Sequence, residues 1–167
     1  MTADFRIDPL AKNHRRESFD CGEPALNLFL QQFARQNAVS GLSRTFVAVR
    51  PGHLDVCGYY SVSTGAISFD IVAEKLPRYP IPTVHLGRLA VDLKMHGNRL
   101  GEFLLFDALK RAVDAAELLG IFAVELYAIS DRAKSFYLHY GFLPLIDDDL
   151  HLYLPIETMK RSPLFSI

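Results

Sequence analysis

Two short stretches carry residue types whose spacing could do chemistry. Residues 96–101, HGNRLG, set Gly97 and Gly101 four apart, after the apolar LGRLAV and before EFLLFDALKRAV, whose apolar spacing is helical. A strand that runs through a glycine turn into a helix aims several backbone N–H groups one way, with partial positive charge behind them. Such a turn can hold an anion, usually phosphate, and glycine lets the ligand approach the backbone. His96 and Arg99 would add donors to phosphate oxygens. A plain turn is the commoner reason for two glycines at a helix start, and the stretch fits neither GxxxxGK(S/T) nor GxGxxG. The second stretch, SDRAKSFYLHYGF, reads as a short helix with Ala133, Phe136 and Tyr140 on one side. Taken alone, its Tyr137 is a half-buried packing residue. His85, His139 and the other histidines lack zinc-ligand spacing such as HExxH, no GxSxG elbow exists, and Cys57 lies in an apolar run that suits inert packing. No metal site is expected.

The elements that must position these stretches follow from periodicity and turn chemistry. FRIDPL reads as a first strand that Pro9 ends. Pro24 opens a helix with Leu26, Phe29, Leu30, Phe33 and Ala34 on its apolar face, ending at Gly41. RTFVAV and DVCGYYSVSTGAISF form an antiparallel hairpin across the turn RPGHLD. IVAEKL fits a helical turn, and the three prolines of PRYPIP forbid regular helix after it. TVHLGRLAVD is a strand, and the helix after HGNRLG runs to about Leu119 with two apolar stripes. GIFAVELYAI is a strand buried on both faces. SDRAKSFYLHY is a capped helix stopped by Gly141, and GFLPL and LHLYLPIE close the chain as strands around Asp147, Asp148 and Asp149. The order implies a mixed sheet with helices against it, α/β or α+β by class.

Composition bounds the partners. The 167 residues, half of them hydrophobic, suit one domain spanning 1–167. A net charge of −1 and a pI near 6.6 give no global basic field, so a nucleic acid would need a local patch. Candidates for it are Arg15, Arg16, Arg35, Arg78, Arg88, Arg132 and Lys134, while KNHRRE reads first as a solvated loop. Cys21 and Cys57, far apart and without metal spacing, point to a reducing compartment, and the expected location is the cytoplasm. The polar N-terminus has no signal-peptide core, and the longest apolar run, LLGIFAVELYAI, is broken by Glu125, so no membrane segment is expected.

Together the two stretches, in this order and with a buried strand between them, resemble the Gcn5-related N-acetyltransferase (GNAT) family. The family's first motif, Arg or Gln, two residues, Gly, one residue, Gly or Ala, falls on His96, Gly97, Asn98, Arg99, Leu100 and Gly101. Here His96 replaces the usual Arg or Gln and Arg99 replaces the central Gly. The second motif is met by Ala133, Phe136, Tyr137, Gly141 and Phe142, with Ser130 where Asn is usual. Within the family, FDCGEPALNLFL, GYYSVS and LGRLAVD look most like the acetyltransferase toxins of type II toxin–antitoxin systems.

The resemblance implies a mixed, mostly antiparallel central sheet flanked by helices, acetyl-coenzyme A as co-substrate, and N-acetylation of the α-amino group of aminoacyl-tRNA. It also implies a ribbon-helix-helix antitoxin and a homodimer as partners. The pyrophosphate would sit on the amides of residues 97 to 102, that is Gly97, Asn98, Arg99, Leu100, Gly101 and Glu102, with His96 beside them. The pantetheine arm would hydrogen bond along Leu89, Ala90 and Val91 like an added strand, and Ser130 and Phe136 would complete the cofactor site. Tyr137 would be the general acid, since a phenol of pKa ~10 faces a leaving thiolate of pKa about 8.5. An α-amine of pKa ~8 or below needs little help to become neutral. The alternatives are an ordinary acetyltransferase of a small or protein amine, and a non-catalytic acyl-coenzyme A-binding module.

Overall fold

The computed structural model describes residues 4–163. Seven strands, β1 (Arg6–Pro9), β2 (Arg44–Val49), β3 (Gly58–Ile67), β4 (Ile81–Val91), β5 (Ala123–Tyr127), β6 (Leu143–Pro144) and β7 (His151–Pro155), form one sheet in the order β1-β2-β3-β4-β5-β7-β6. β4 and β5 run parallel, whereas β1–β2, β2–β3, β5–β7 and β6–β7 are antiparallel. The helices are α1 (Pro24–Leu28), α2 (Ala34–Val39), α3 (Leu100–Ala116), α4 (Asp131–His139) and α5 (Ile156–Arg161). This is the mixed, mostly antiparallel sheet with flanking helices that the sequence implies. No helix is long and apolar enough to cross a membrane among the described residues.

The chain clusters into two compact units, one formed by the stretch ending at Ser63 with Gly87–Ala108, the other by Thr64–Leu86 with the stretch from Leu109 onward. The core of the first gathers Phe19, Phe29, Leu30, Val47, Tyr59 and Ala90. Phe19 meets the Tyr59 ring edge-on at 5.6 Å, and the Tyr59 hydroxyl donates to the Leu26 carbonyl at 2.7 Å. α1 and α2 are joined by a π turn, Phe29–Phe33, in which the Ala34 N–H donates to the Phe29 carbonyl five residues back. The extra residue keeps Ala34 on the buried face with Phe29 but turns Phe33 outward to 45% exposure, against the helical spacing that groups them. Gly58 is required by close approach: a Cβ there would lie 2.8 Å from the Leu104 side chain and 3.1 Å from the Ala90 carbonyl.

The far end of β4 is pinned by a buried carboxylate. Asp92 Oδ1 accepts the Lys94 N–H at 2.9 Å, and Oδ2 accepts the Asp20 N–H at 3.1 Å. The Asp92 N–H donates to the Cys57 carbonyl and the Leu93 N–H to the Asp20 carbonyl, both at 2.9 Å. The Asp of FDCG and the Asp of LAVD thus meet, and the chain leaves β4 through a 3-10 turn, Leu93–Met95.

In the second unit Ile67, Val72, Ile81, Ala123, Leu145 and Tyr153 pack together. The helical turn expected over IVAEKL lies instead at Phe69–Ile71, because Val72 is extended and buried in that cluster. α3 ends at Ala116, short of Leu119: tight bonds from Glu117 to Asp114 and Leu118 to Ala115 close its last turn, and Leu118 and Leu119 are exposed. The final strand stops at Pro155 and the chain turns into α5, with Glu157 in its first turn and Lys160 and Arg161 in its last, as the helix dipole favours.

Asp92→Ala orphans two half-buried N–H groups, of Asp20 and Lys94, that now bond a charged acceptor. We expect the unfolding free energy in urea to fall by about 3 kcal/mol, with a smaller loss for Asp92→Asn.

Candidate active site

Between β4 and α3 the backbone takes two left-handed turns, Gly97 at φ 87° and Arg99 at φ 58°. For Arg99 this costs roughly 1–2 kcal/mol, since its Cβ crowds the following carbonyl, and strain of this kind concentrates at ligand clamps. A left-handed residue followed by a right-handed one makes successive N–H groups converge, here those of Arg99, Leu100 and Gly101. The Phe103 N–H bonds the Arg99 carbonyl at 3.1 Å, so Leu100 and Gly101 precede the first helical ring and their amides have no intrahelical acceptor. The Arg99 side chain is 70% exposed and ion-paired with Glu102 at 3.1 Å, and the Asn98 side-chain amide donates to the Met95 carbonyl at 3.0 Å. The segment therefore fits an anion despite the missing central glycine: Arg99 keeps the glycine's backbone angle and carries its side chain outward.

Along β4, the peptide groups alternate between the two edges. Asp92 bonds Cys57, and the Ala90 carbonyl faces Gly58, so at this end of the strand the groups of Ala90 and Asp92 turn toward β3. Those of Leu89 and Val91 turn the other way. The parallel register with β5 covers Thr83–Ala123, Val84–Val124 and His85–Glu125, while β4 continues to Val91. Leu89 and Val91 are thus the residues whose N–H groups suit an added strand, and Ala90 lies between them with its groups turned to β3. His96 Nε2 stands 3.3 Å from the Val91 carbonyl.

In the second unit Ser130 caps α4, its hydroxyl accepting the Ala133 N–H at 3.1 Å. Ser130 therefore does locally what the Asn of the family motif can do, fixing the start of the helix. Tyr137 on this helix is buried, flanked by the edges of Phe136 at 5.2 Å and Phe142 at 5.5 Å. No described residue lies within hydrogen-bond distance of its hydroxyl. Burial of the ring pushes its pKa up. The group therefore stays protonated through the neutral range, as a proton donor must.

Other residues were not legible as chemistry. Asp92 ends LGRLAVD without any motif to announce it. Arg88 stacks its guanidinium 3.6 Å above the Phe29 ring centroid. Glu125, which breaks an apolar run, is buried between His85 and His151; the one signal was a carboxylate in a strand otherwise buried on both faces. Among the described residues no three His, Cys, Asp or Glu side chains are placed to hold a metal ion.

No family model matches the sequence. Among known proteins, the chain is 40% identical over 146 residues to a tRNA-acetylating toxin of Mycobacterium tuberculosis (strain ATCC 25618 / H37Rv), covering 86% of this chain and 87% of the relative. Among solved structures it resembles AtaT complexed with acetyl-methionyl-tRNAfMet, with a TM-score of 0.90 and 28% identity over 98% of this chain and 100% of the other. It also resembles a Tyr→Phe mutant of the AtaT toxin bound to the C-terminus of the antitoxin AtaR and acetyl-CoA, with a TM-score of 0.81 and 30% identity over 95% and 99% of the two chains.

If the left-handed angle at residue 99 is what the cradle needs, Arg99→Gly keeps the affinity for acetyl-coenzyme A, measured by calorimetry, and holds stability within about 1 kcal/mol. Arg99→Val, β-branched at positive φ, weakens both.

Proposed function

The chain belongs to the GNAT acetyltransferases, among the acetyltransferase toxins of toxin–antitoxin systems, and we propose that it N-acetylates the α-amino group of aminoacyl-tRNA. It is an acyltransferase with acetyl-coenzyme A as co-substrate. The observation that carries the acceptor is the 40% identity, along 86% of the chain, to a tRNA-acetylating toxin; AtaT, solved with acetyl-methionyl-tRNAfMet, supports it.

In the reaction each part of the chain has one task. The amides of Gly97, Asn98, Arg99, Leu100, Gly101 and Glu102 bind the pyrophosphate, with His96 at its side. Leu89 and Val91 pair with the pantetheine arm, and a backbone N–H there meets the thioester oxygen as charge develops on it. Ser130 and Phe136 set the place of Tyr137, whose hydroxyl protonates the leaving thiolate. An α-amino group is largely neutral near pH ~8, so the attack itself asks little of a base. Residues 1–167 act as one acetyltransferase domain, in the cytoplasm where charged tRNA is found. An antitoxin is the expected protein partner, by analogy with AtaT and AtaR, of the ribbon-helix-helix type that the family resemblance implies, and a homodimer the expected assembly.

A specific observation favours the second reading, acetylation of a small or protein amine: the net charge is −1. The basic residues available for tRNA divide between the units, Arg15, Arg16, Arg35 and Arg88 in the first, Arg78, Arg132 and Lys134 in the second. Mass spectrometry of total charged tRNA and a panel of free amines, each incubated with the protein and acetyl-coenzyme A, separates the two. We expect N-acetylated aminoacyl-tRNA, formed with a transfer efficiency that falls steeply as salt rises. Acetylation confined to free amines, with little salt dependence, would contradict the tRNA reading.

A further inference from the structure

Four ionisable side chains of the second unit lie outside the site described above and form one hydrogen-bonded chain. His85 Nδ1 is 2.7 Å from Glu125 Oε1, Glu125 Oε2 is 2.5 Å from His151 Nε2, and His151 Nδ1 is 2.9 Å from Asp147 Oδ2. The Tyr127 ring lies flat on His151, 3.9 Å between centroids and 10° between planes. The middle of this chain is sealed and its ends are not: the side chains of Glu125 and His151 are 6% and 4% exposed, those of His85 and Asp147 34% and 33%.

A carboxylate inside a strand whose neighbours Val124 and Leu126 are fully buried is expensive unless it is paired on every side. Burial by itself raises the Glu125 carboxyl, but the hydrogen bonds and charges of His85 and then His151 outweigh it, leaving Glu125 below its ordinary range. An ionised carboxylate only accepts. His85 therefore donates from Nδ1 and, when neutral, carries its lone pair on Nε2, which forms no hydrogen bond with a described residue. His151 meets carboxylate oxygens on both sides, an arrangement satisfied when both of its nitrogens carry hydrogen. The charged groups facing His85 are Glu125 of β5 and, through it, His151 of β7 and Asp147 of the preceding loop. On β3 the neighbour is Gly65, which brings no charge; a Cβ there would stand 3.2 Å from the His85 Cβ. His85 also ends the parallel register with β5, and its strand continues to Leu89 and Val91.

We propose that His85 is the proton acceptor of the acetyl transfer, taking on Nε2 the proton that the acceptor nitrogen loses, with Glu125, His151 and Asp147 as positioning residues that fix its tautomer and balance its charge. The inference rests on the acetyl-transfer reading above. Attack by the amine forms the C–N bond and leaves the nitrogen with one proton too many. That proton passes to His85 Nε2, the C–S bond breaks, and the thiolate takes the Tyr137 hydroxyl proton. Solvent then removes the proton from His85 and restores the one on Tyr137, so the enzyme returns unchanged.

The test is the pH profile of kcat for wild type, His85→Gln and Glu125→Gln, with thermal midpoints and acetyl-coenzyme A affinity measured alongside. The half-exposed His85 can be replaced without opening the core, so we expect His85→Gln to bind and fold normally, to lose about 10²-fold in kcat, and to lose the part of the acidic limb that the acceptor amine's own titration does not account for. Glu125→Gln takes away the carboxylate that holds the His85 Nδ1–H, so its profile departs from that of wild type. An unchanged limb in both variants, with any loss of rate matched by a loss of folded protein, would reduce the four residues to a clamp between β4, β5 and β7 and overturn the proposal. If wild type ignores charged tRNA but acetylates a free amine, the acceptor reading fails, and the same profile taken with that amine still decides the role of His85.

Discussion

The carboxylate of Asp92 is the point on which the first unit turns. It holds the Asp20 and Lys94 amides, while its own N–H ties the end of β4 to Cys57. That bond to Cys57 fixes the direction of the peptide groups at the end of β4, those of Ala90 and Asp92 toward β3 and those of Leu89 and Val91 away from it. From the same residue the chain swings through Leu93–Met95 into the segment that opens α3. The FDCG segment, the start of β3 and the end of β4 are therefore one hydrogen-bonded corner, and moving any of them would move the amides proposed to hold acetyl-coenzyme A.

Both halves of the proposed chemistry carry stored cost. In the first unit it is the left-handed backbone of Arg99, a residue type that seldom adopts it. In the second it is Tyr137, a buried ring whose hydroxyl forms no hydrogen bond with a described residue. Neither makes sense as packing alone: a glycine would be easier at the first position and a phenylalanine at the second. A bound pyrophosphate and a leaving thiolate would offset the two costs, which ties the local strain to the transfer reaction rather than to stability.

The sequence made much of this readable and hid the rest for physical reasons. Local periodicity carried α3, α4 and the strands, because their apolar faces repeat within a few residues. Five positions at fixed spacing, Ala133, Phe136, Tyr137, Gly141 and Phe142, carried the family. The π turn at Phe29–Phe33 was invisible because spacing of three and four describes a regular helix, and it moved Phe33 outward. α5 was missed because the apolar run before it continues the strand pattern through LHLYLPIE, although Pro155 just before the helix and Glu157 and Lys160 within it suit a helix. The pairing of Asp20 with Asp92 and of Glu125 with His85 and His151 joins residues 72, 40 and 26 positions apart, and no local pattern records which distant partner a buried carboxylate will find.

The central claim is that Tyr137 serves the chemistry and not the core. Its most direct test is single-turnover acetyl transfer by Tyr137→Phe, with the thermal midpoint and acetyl-coenzyme A affinity measured on the same preparation. The account predicts a loss of about 10²-fold or more in the transfer step, unchanged affinity, and a midpoint equal to or above that of wild type, because the hydroxyl removed bonds no described residue. Transfer at the wild-type rate would contradict it, as would a fall in stability large enough to account for the lost activity.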